Sequence, residues 1–557
     1  MVTPGGFIAR KENEIKTIDN LVISLGGCGP FQIRLVVATY SAQLCAVWGM
    51  LFMVFGNYHS PWQCLDGLKQ NGSLDNYTLG NSILEKLIPN RTLDETSLEF
   101  NESFWNTTDR GSCEIIKVCK NLEFAPESIT IITEWGLVCD LAWVQSFIIC
   151  IQMIGVLIGS YYGGLVGDKC GRRVNLYISV AFHTVFNLLA AFSVDWKMFA
   201  CLRFFIGLTV GGMLSCCLLY PIEFVSKWWR GFLSTIPVWN FGAATFSLAV
   251  LLLKNWKHVH IATALFSLLV FLLGFWVPES MRWLALHGKV ERAKNIANMV
   301  AAMNHRPPPN TTALEIFAKE ERKKLRVKGT RYEHAVDLFK KEKYFTLSIK
   351  MGLIWACMSL MYYTISFGMK FLAGDFYINF IVFSVAEIPG IIFVTPIRRK
   401  LGPRLGSLVY FVIIFLACVG LIIAHFMASE DNKGNVIYFL ALLAKMNILA
   451  AWKIMTNFSN MMYPSEVSSV STDYLNTCAR LGAVVAPFLI PNISGSLYVM
   501  FLILGIYLLF CCLLLVSIPV KMKEPSSDEE RPRSHLSVIV EETEMEVHIS
   551  ESDRSAK

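Results

Sequence analysis

Charged residues are scarce in this sequence. Asp, Glu, Lys and Arg make up 17% of its 557 residues, whereas a soluble protein usually carries about 25%. This shortage excludes an ordinary soluble globular protein. The 54% of hydrophobic residues and the mean hydropathy of +0.47 instead indicate a polytopic membrane protein.

Signatures of catalysis and of nucleic-acid binding are also missing. The sequence has no G-x-x-x-x-G-K-[ST] phosphate loop, which argues against a primary pump. It shows no nucleophile–base pattern and no metal-ligand spacing, so we predict neither an enzyme nor a cofactor. The net charge of +7 resides in short loops beside apolar runs, a distribution typical of membrane proteins rather than of nucleic-acid binders.

Long apolar runs recur along the chain. A spanning helix needs about 20 apolar residues to cross roughly 30 Å of hydrocarbon. Runs of this length predict twelve helices, at about 35–56, 142–166, 175–194, 198–222, 231–253, 260–278, 346–368, 375–397, 406–427, 436–462, 470–490 and 497–519. Residues 1–33 are polar and mixed, so no cleavable signal peptide is predicted and the first helix must direct insertion.

The predicted fold is an all-α membrane bundle in two halves. Residues 34–279 and 346–519 each hold six helices, and residues 280–345 form the link between them. Such a two-halved architecture exposes an interfacial site to either side by rocking. The acidic segment 520–557 reads as a disordered tail.

Basic residues fix the predicted orientation. They cluster between helices 2 and 3, 4 and 5, 6 and 7, and 8 and 9, which all lie on one side of the membrane. By the positive-inside rule this side is the cytoplasm, and both termini share it. We expect a plasma-membrane protein with the lipid bilayer as a partner; an internal membrane is the alternative.

The segment 57–141 is predicted to form a large extracellular loop. It carries five N-x-S/T sequons, at Asn71, Asn76, Asn90, Asn101 and Asn106. It also carries four cysteines, at Cys64, Cys113, Cys119 and Cys139. Four cysteines allow two disulfides in any of three pairings, and free thiols are the alternative.

A polar motif, Gly163-Gly-Leu-Val-Gly-Asp-Lys-Cys-Gly-Arg-Arg173, ends the second apolar run. Gly164 and Gly167 favour close approach of a neighbouring helix. Asp168 suits the positive end of a helix dipole, and the two arginines suit acids at neighbouring helix ends. The motif thus predicts a conformational latch at the cytoplasmic mouth; simple topogenic charge is the alternative. The predicted members are Gly164, Asp168, Lys169, Gly171, Arg172, Arg173, Glu223, Arg230, Glu279 and Arg282.

Several motifs in order resemble one family. They are Leu25-Gly-Gly-Cys-Gly-Pro-Phe-Gln32, Thr133-Glu-Trp-Gly-Leu-Val-Cys-Asp140, Pro278-Glu-Ser-Met-Arg-Trp-Leu284, Ala386-Glu-Ile-Pro-Gly390 and Ala479-Arg-Leu-Gly482. Together they resemble the organic cation, carnitine and organic anion transporters (solute carrier family 22) of the major facilitator superfamily. The resemblance covers nearly the whole chain and implies the major facilitator fold with twelve transmembrane helices.

The second half departs from that family. Arg399 stands where the family usually has an acid, and Pro403 where it has a base. Met461 and Ser468 replace a glutamate and an arginine near the end of helix 10. Either the latch contacts are weaker here, or the bases at 398–400 pair elsewhere, for example with Glu466.

Charged residues at mid-depth mark the candidate substrate site. Glu387 lies about 18 Å into helix 8 and Arg480 about 15 Å into helix 11, at 1.5 Å per residue. Intramembrane charges are costly and usually functional, although a structural ion pair is the alternative. Further candidates are Tyr362 and Tyr363, which suit cation–π contact or a membrane-interface belt, together with Lys445 and Trp239.

The sequence therefore predicts a secondary transporter that works by alternating access. The resemblance implies that Glu387 together with Arg480 suits a small organic cation or zwitterion of the carnitine type. An organic anion transporter of the same family is one alternative, and a non-transporting receptor on a transporter scaffold is another. Uniport, exchange and ion coupling all stay open, so a coupling ion is a further candidate partner.

Overall fold

The chain is described by a computed structural model. It covers residues 18–58, 60, 62–64, 68–70, 77–79, 122–124, 128–217, 219–312, 314–316, 318–319, 339–340, 342–372, 374–427, 430–463, 468–489 and 497–518. The five sequons, Cys113, Cys119, Glu466 and the tail 520–557 lie outside these residues.

The described residues form twelve long helices, α1 to α12. They are Pro30–Gly56, Trp143–Cys170, Arg172–Ala191, Trp196–Cys216, Val238–Leu253, Trp256–Leu273, Glu342–Gly368, Phe376–Ile392, Val394–Met427, Glu430–Met462, Ser468–Leu489 and Leu497–Val516. Short helices lie between them at Ile18–Ser24, Ile131–Trp135, Leu219–Ile222, Lys227–Thr235, Met281–Leu286 and Val290–Met303, with 3-10 turns at Cys139–Leu141, Gly274–Trp276 and Met369–Phe371.

The twelve helices confirm the predicted fold class, with two exceptions to the apolar-run rule. Ten segments of the described chain are long and apolar enough to cross a membrane. Helix α8 is shorter, at 17 residues. Helix α11 is not among the ten, and it carries Asp473 and Arg480 within its span. Both exceptions belong to the C-terminal half, where the candidate charges lie.

Three helix boundaries differ from the sequence prediction for local reasons. Helix α1 begins at Pro30, not near residue 35, because proline suits the first helical turn and the Gln32 side chain accepts from the Gly29 amide at 2.9 Å. The predicted run 231–253 is broken before Pro237, since Ile236 is extended at φ −60°, ψ 125°. Helix α9 begins at Val394 and not near residue 406, because two helical stretches join at a kink at Gly402, where φ is 77°.

Four short strands lie in the segment after α1. β1 (Trp62–Cys64) pairs antiparallel with β4 (Leu122–Phe124), and β2 (Leu68–Gln70) with β3 (Tyr77–Leu79). Cys139, at the other end of the predicted loop, is disulfide-bonded. We use "outer" for the end of the bundle that faces these strands and "inner" for the opposite end.

Close packing of α2 against α4 depends on glycines that have no room for a side chain. A Cβ added at Gly159 would lie 2.0 Å from the Leu208 carbonyl oxygen, and one at Gly163 would lie 2.7 Å from the Gly212 Cα. A Cβ at Gly164 would meet nothing within 4 Å. The prediction that Gly164 permits close approach is therefore wrong, because an added side chain there would meet no neighbour. Gly163 has that role, together with Gly167.

The two halves meet along two helix pairs, α2 with α11 and α5 with α8. At the outer end, the Lys370 ammonium donates to the Asn57 carbonyl at 3.3 Å and the Ser146 hydroxyl donates to the Pro487 carbonyl at 2.9 Å. The Tyr58 ring stacks on Phe376 with centroids 4.4 Å apart. These contacts close the outer end of the interface.

An alanine at Gly159 tests the close packing. We expect Gly159→Ala to lower the free energy of unfolding by about 1–3 kcal/mol, because backbone must shift to admit the methyl group. The matched variant Gly164→Ala in the same helix should leave stability unchanged or raise it by up to about 1 kcal/mol, because alanine is the better helix former and has room there. Thermal unfolding of the purified protein in detergent measures both, and equal melting temperatures for the two variants would contradict this packing.

Candidate functional site

Glu387 is positioned by the start of α8 and by the contact of that helix with α10. The Asp375 side chain caps α8 by accepting from the Ile378 amide at 2.9 Å. Three residues beyond Glu387, a Cβ added at Gly390 would lie 2.4 Å from the Met446 carbonyl oxygen. The two helices therefore touch at this level. Glu387 itself is 2% exposed.

The Glu387 carboxylate receives donors from both halves. The Lys445 ammonium on α10 lies 3.0 Å from one oxygen, and the Asn240 amide on α5 donates to the other at 2.6 Å. The Tyr362 hydroxyl on α7 is a third donor. Asn240 also donates to the Ser384 carbonyl at 3.4 Å, so this polar cluster joins the N-terminal half to the C-terminal half.

Lys445 has a complete set of contacts for a buried ammonium. Besides Glu387, its Nζ donates to the Ser366 hydroxyl at 2.5 Å. The same atom lies 3.6 Å from the centroid of the Tyr362 ring, within cation–π distance. The side chain is about as buried as that of Glu387, at 5% and 3% exposure.

The tyrosine pair lies between Glu387 and Arg480. Tyr362 and Tyr363 are both buried and meet edge to face at 5.2 Å. Trp239 donates from Nε1 to the Tyr362 hydroxyl at 2.7 Å, across the interface between the halves. On the other side, Arg480 donates to the Tyr363 hydroxyl at 3.4 Å. The alternative of a membrane-interface belt is excluded for both tyrosines, because neither reaches the surface.

One expectation about the site charges needs correction. Glu387 and Arg480 were weighed as a possible ion pair, but the cation next to Glu387 is Lys445. Arg480 is half-buried, and no ion-pair partner is found for it among the described residues. The helical rise per residue predicts that both charges lie at mid-membrane. It does not predict how each helix is rotated about its axis, and this rotation decides which side chains meet.

A small cavity adjoins the charge cluster. Its volume is about 20 Å³, and its lining includes Leu51, Val54, Ala243, Phe380 and Phe383 as well as Glu387 and Lys445. That space corresponds to about one water molecule. Since a quaternary ammonium is several times larger, this conformation is closed around the site, and binding of such a solute requires the helices to separate.

At the inner end, some of the predicted latch residues form a cluster around Glu279. Its carboxylate accepts from the backbone amides of Arg172 at 2.9 Å, Arg173 at 3.2 Å and Ser280 at 2.9 Å. Gly171 has φ 118°, and a Cβ there would lie 2.2 Å from the same carboxylate. We predicted that Asp168 would accept at this helix N-terminus; the structure assigns that role to Glu279.

Arg172 links the acids of the cluster. It pairs with Asp168 at 2.7 Å and lies 3.6 Å from Glu223. Ser280 donates its hydroxyl to Glu223. Burial raises the pKa of the Glu223 carboxyl, while that hydrogen bond and the nearby Arg172 oppose the increase.

The other predicted members are more peripheral. The Arg173 side chain donates to the Phe275 carbonyl at 3.3 Å, and Arg230 pairs with Asp19 at 2.5 Å. Lys169 is exposed, and Arg282 acts electrostatically on Glu223. Every partner named here belongs to the N-terminal half or to its flanking segments. These contacts hold one half together, so a role in closing the mouth between the halves stays a prediction.

The sequence reading missed a buried cation in the N-terminal half. Arg203 on α4 is completely buried, donates to the Gly49 carbonyl at 2.9 Å and to the Gln152 side chain, and lies 4.9 Å from the Phe52 ring centroid. Its Nε and Nη1 contact no acceptor among the described residues. Arg203 could have been found from the sequence, because a charged residue inside an apolar run is a candidate functional residue, as Glu387 is.

Comparison with known proteins agrees with this architecture. A family model described as "Sugar (and other) transporter" matches residues 96–524. The structure of a partially occluded, inward-open xylose transporter XylE from E. coli superposes with a TM-score of 0.57 at 14% identity, covering 88% of this chain and 100% of that one. A second XylE structure, described as a major facilitator superfamily proton:xylose symporter, gives 0.54 at 15% identity, covering 86% and 95%. At such identities the likeness shows the fold alone.

Curated relatives confirm the resemblance read from the motifs. "Organic cation/carnitine transporter 2" of Homo sapiens is 24% identical over 544 residues, 92% of this chain and 93% of the relative. The Rattus norvegicus protein of that name is 25% identical, covering 72% and 71%, and "Solute carrier family 22 member 4" of Mus musculus is 27% identical, covering 68% and 69%. The chain has the major facilitator fold and is a multi-pass membrane protein of a transporter family, not an enzyme. It belongs to the Sugar (and other) transporter family.

Proposed function

We propose that this protein moves small organic cations or zwitterions, such as carnitine-like quaternary amines, across a membrane by alternating access. The observation that carries the proposal is the buried Glu387 carboxylate at the interface of the two halves, contacted from both. A carboxylate inside a membrane-spanning bundle is costly in free energy and usually has a function. Binding of a cation would supply that function.

The surroundings of Glu387 suit the positive end of such a solute. The Tyr362 ring already holds an ammonium at 3.6 Å, and an aromatic face attracts quaternary ammonium groups as well. Asn240, Tyr362 and Lys445 contact the carboxylate in the unloaded site. A cationic solute therefore finds both charge and aromatic surface in one place.

Arg480 suits the negative end of a zwitterion. It is half-buried beyond the tyrosine pair, and the described chain offers it no carboxylate within ion-pair distance. A guanidinium binds a carboxylate with two parallel hydrogen bonds. The same feature favours the second candidate, an organic anion carrier, in which Arg480 would hold the substrate and Glu387 would stay paired with Lys445.

Alternating access is supported by where the halves touch. The contacts of Lys370, Ser146 and Tyr58 join the halves at the outer end, and those of Asn240 join them at mid-depth. The Glu279 cluster at the inner end binds elements of one half. We propose that this cluster keeps the inner end of the N-terminal half rigid while the two halves separate. In this proposal the protein lies in the plasma membrane, and both termini and the latch are in the cytoplasm. The relatives named organic cation/carnitine transporters support the substrate class.

Uptake by expressing cells tests the role of Glu387. We expect saturable uptake of labelled tetraethylammonium and carnitine, and Glu387→Gln should lower both at least about tenfold, or 1.4 kcal/mol, because the charge that attracts the cation is lost. Asp375→Asn is the matched control, since asparagine caps a helix as well as aspartate. Surface expression is measured for each variant. Preferential uptake of an aryl carboxylate that is insensitive to Glu387→Gln would favour the anion carrier, and no uptake of any solute would favour a receptor.

Replacing Arg480 separates zwitterions from simple cations. Arg480→Gln should lower carnitine uptake at least about tenfold while tetraethylammonium uptake stays within twofold, because only carnitine carries a carboxylate. Initial rates over a range of concentrations measure this difference. An equal loss for both solutes would contradict a direct contact between Arg480 and the carboxylate.

The proposed rigid inner cluster is tested through Glu279. Glu279→Ala leaves three backbone amides without their acceptor and should lower the free energy of unfolding by about 1–3 kcal/mol. Glu291→Ala, at an exposed pair with Lys294, should change it by less than about 0.5 kcal/mol. Melting temperatures in detergent distinguish them, and an unchanged value for Glu279→Ala would rule out this role.

A further inference from the structure

Lys445 occupies the place that a substrate cation would need. Its ammonium has a carboxylate at 3.0 Å, an aromatic face at 3.6 Å and a hydroxyl at 2.5 Å, and these are the contacts by which a protein recognises an organic cation. The adjoining cavity of about 20 Å³ has no room for a second cation beside it. In this conformation a solute ammonium would therefore have to take the place of the Lys445 ammonium beside Glu387.

In an unloaded carrier the negative charge of Glu387 needs a positive partner, and Lys445 supplies it. To return without substrate, the protein must pass through a conformation closed at both ends, with Glu387 buried in a low-dielectric interior. A buried ion without its partner is strongly destabilising, whereas a close partner with further hydrogen bonds offsets the desolvation penalty. Around Glu387, the groups that face it are Asn240 from α5, Tyr362 from α7 and Lys445 from α10. Among these, Lys445 is the one that supplies a positive charge.

We propose that Lys445 is a tethered replacement for the substrate cation, and that it allows the empty carrier to change conformation. This inference rests on the proposed function, since it assumes that Glu387 binds a solute cation. In the loaded state the solute neutralises Glu387 and Lys445 moves aside. In the unloaded state Lys445 returns to Glu387, and the carrier reorients without a solute. The carrier therefore performs net transport and is not restricted to exchange.

The position of Lys445 distinguishes this role from a purely structural ion pair. A purely structural ion pair would link two helices of one half and would need no contact with groups at the interface between the halves. Here the ammonium also lies over the ring of Tyr362, the residue that Trp239 holds from the opposite half. The pair is thus placed where the halves meet, and its environment changes when they separate.

Reconstituted full-length protein allows two assays with labelled tetraethylammonium. Net uptake is measured into vesicles without internal solute, and exchange into vesicles preloaded with unlabelled tetraethylammonium. Lys445→Met keeps the length of the side chain and removes its charge. We expect it to lower net uptake at least tenfold while exchange stays within threefold of the unmodified protein, because only the solute-loaded variant has a neutralised Glu387. Lys453→Met, the same change two turns further along α10, should leave the ratio of the two rates unchanged.

Two further measurements keep the inference testable if Lys445→Met folds poorly. Lys445→Arg retains a positive charge and should retain net uptake. The unmodified protein should take up tetraethylammonium into empty vesicles at a rate comparable to its exchange rate. A Lys445→Met variant with an unchanged ratio, or an unmodified protein restricted to exchange, would overturn the tethered-cation role. If the unmodified protein moves the cation in neither assay, the proposed function itself fails.

Discussion

The ion pair between Glu387 and Lys445 is the interaction on which the centre of the molecule depends. Two opposite charges lie 3.0 Å apart, both almost completely buried. Neither charge is tolerable alone in a membrane interior, so each requires the other or a substitute. Asn240, Tyr362 and Ser366 satisfy the remaining hydrogen-bonding capacity of the pair, and they come from helices of both halves. The pair thereby stabilises the interface and also responds to any change in it.

The two ends of the bundle are held in different ways. At the outer end the contacts cross from one half to the other and involve backbone carbonyls and stacked rings. At the inner end the Glu279 cluster ties backbone amides and acids of the N-terminal half together. A rigid-body movement between the halves would break the first set and leave the second intact. This difference is what a carrier with a central site requires.

The helices of the two halves differ in how they pack and in how apolar they are. Gly159 and Gly163 allow α2 to lie against the backbone of α4, and Arg203 on α4 adds a hydrogen bond to the Gln152 side chain on α2. The C-terminal half instead contains an apolar α8 of only 17 residues and an α11 that is not among the ten long apolar segments. These two helices carry Glu387 and Arg480.

The sequence by itself determined the number of helices and the division into two halves, because apolar length is a property of local sequence. It also identified Glu279 and Arg172 as members of one cluster through their motifs. Only the tertiary structure decided which groups meet: Lys445 beside Glu387, Glu279 in place of Asp168 at the α3 N-terminus, and Gly163 in place of Gly164 against α4. The physical reason is rotation about the helix axis. One residue turns a side chain by about 100°, at 3.6 residues per turn, and in a long apolar run the hydrophobic pattern does not fix that angle.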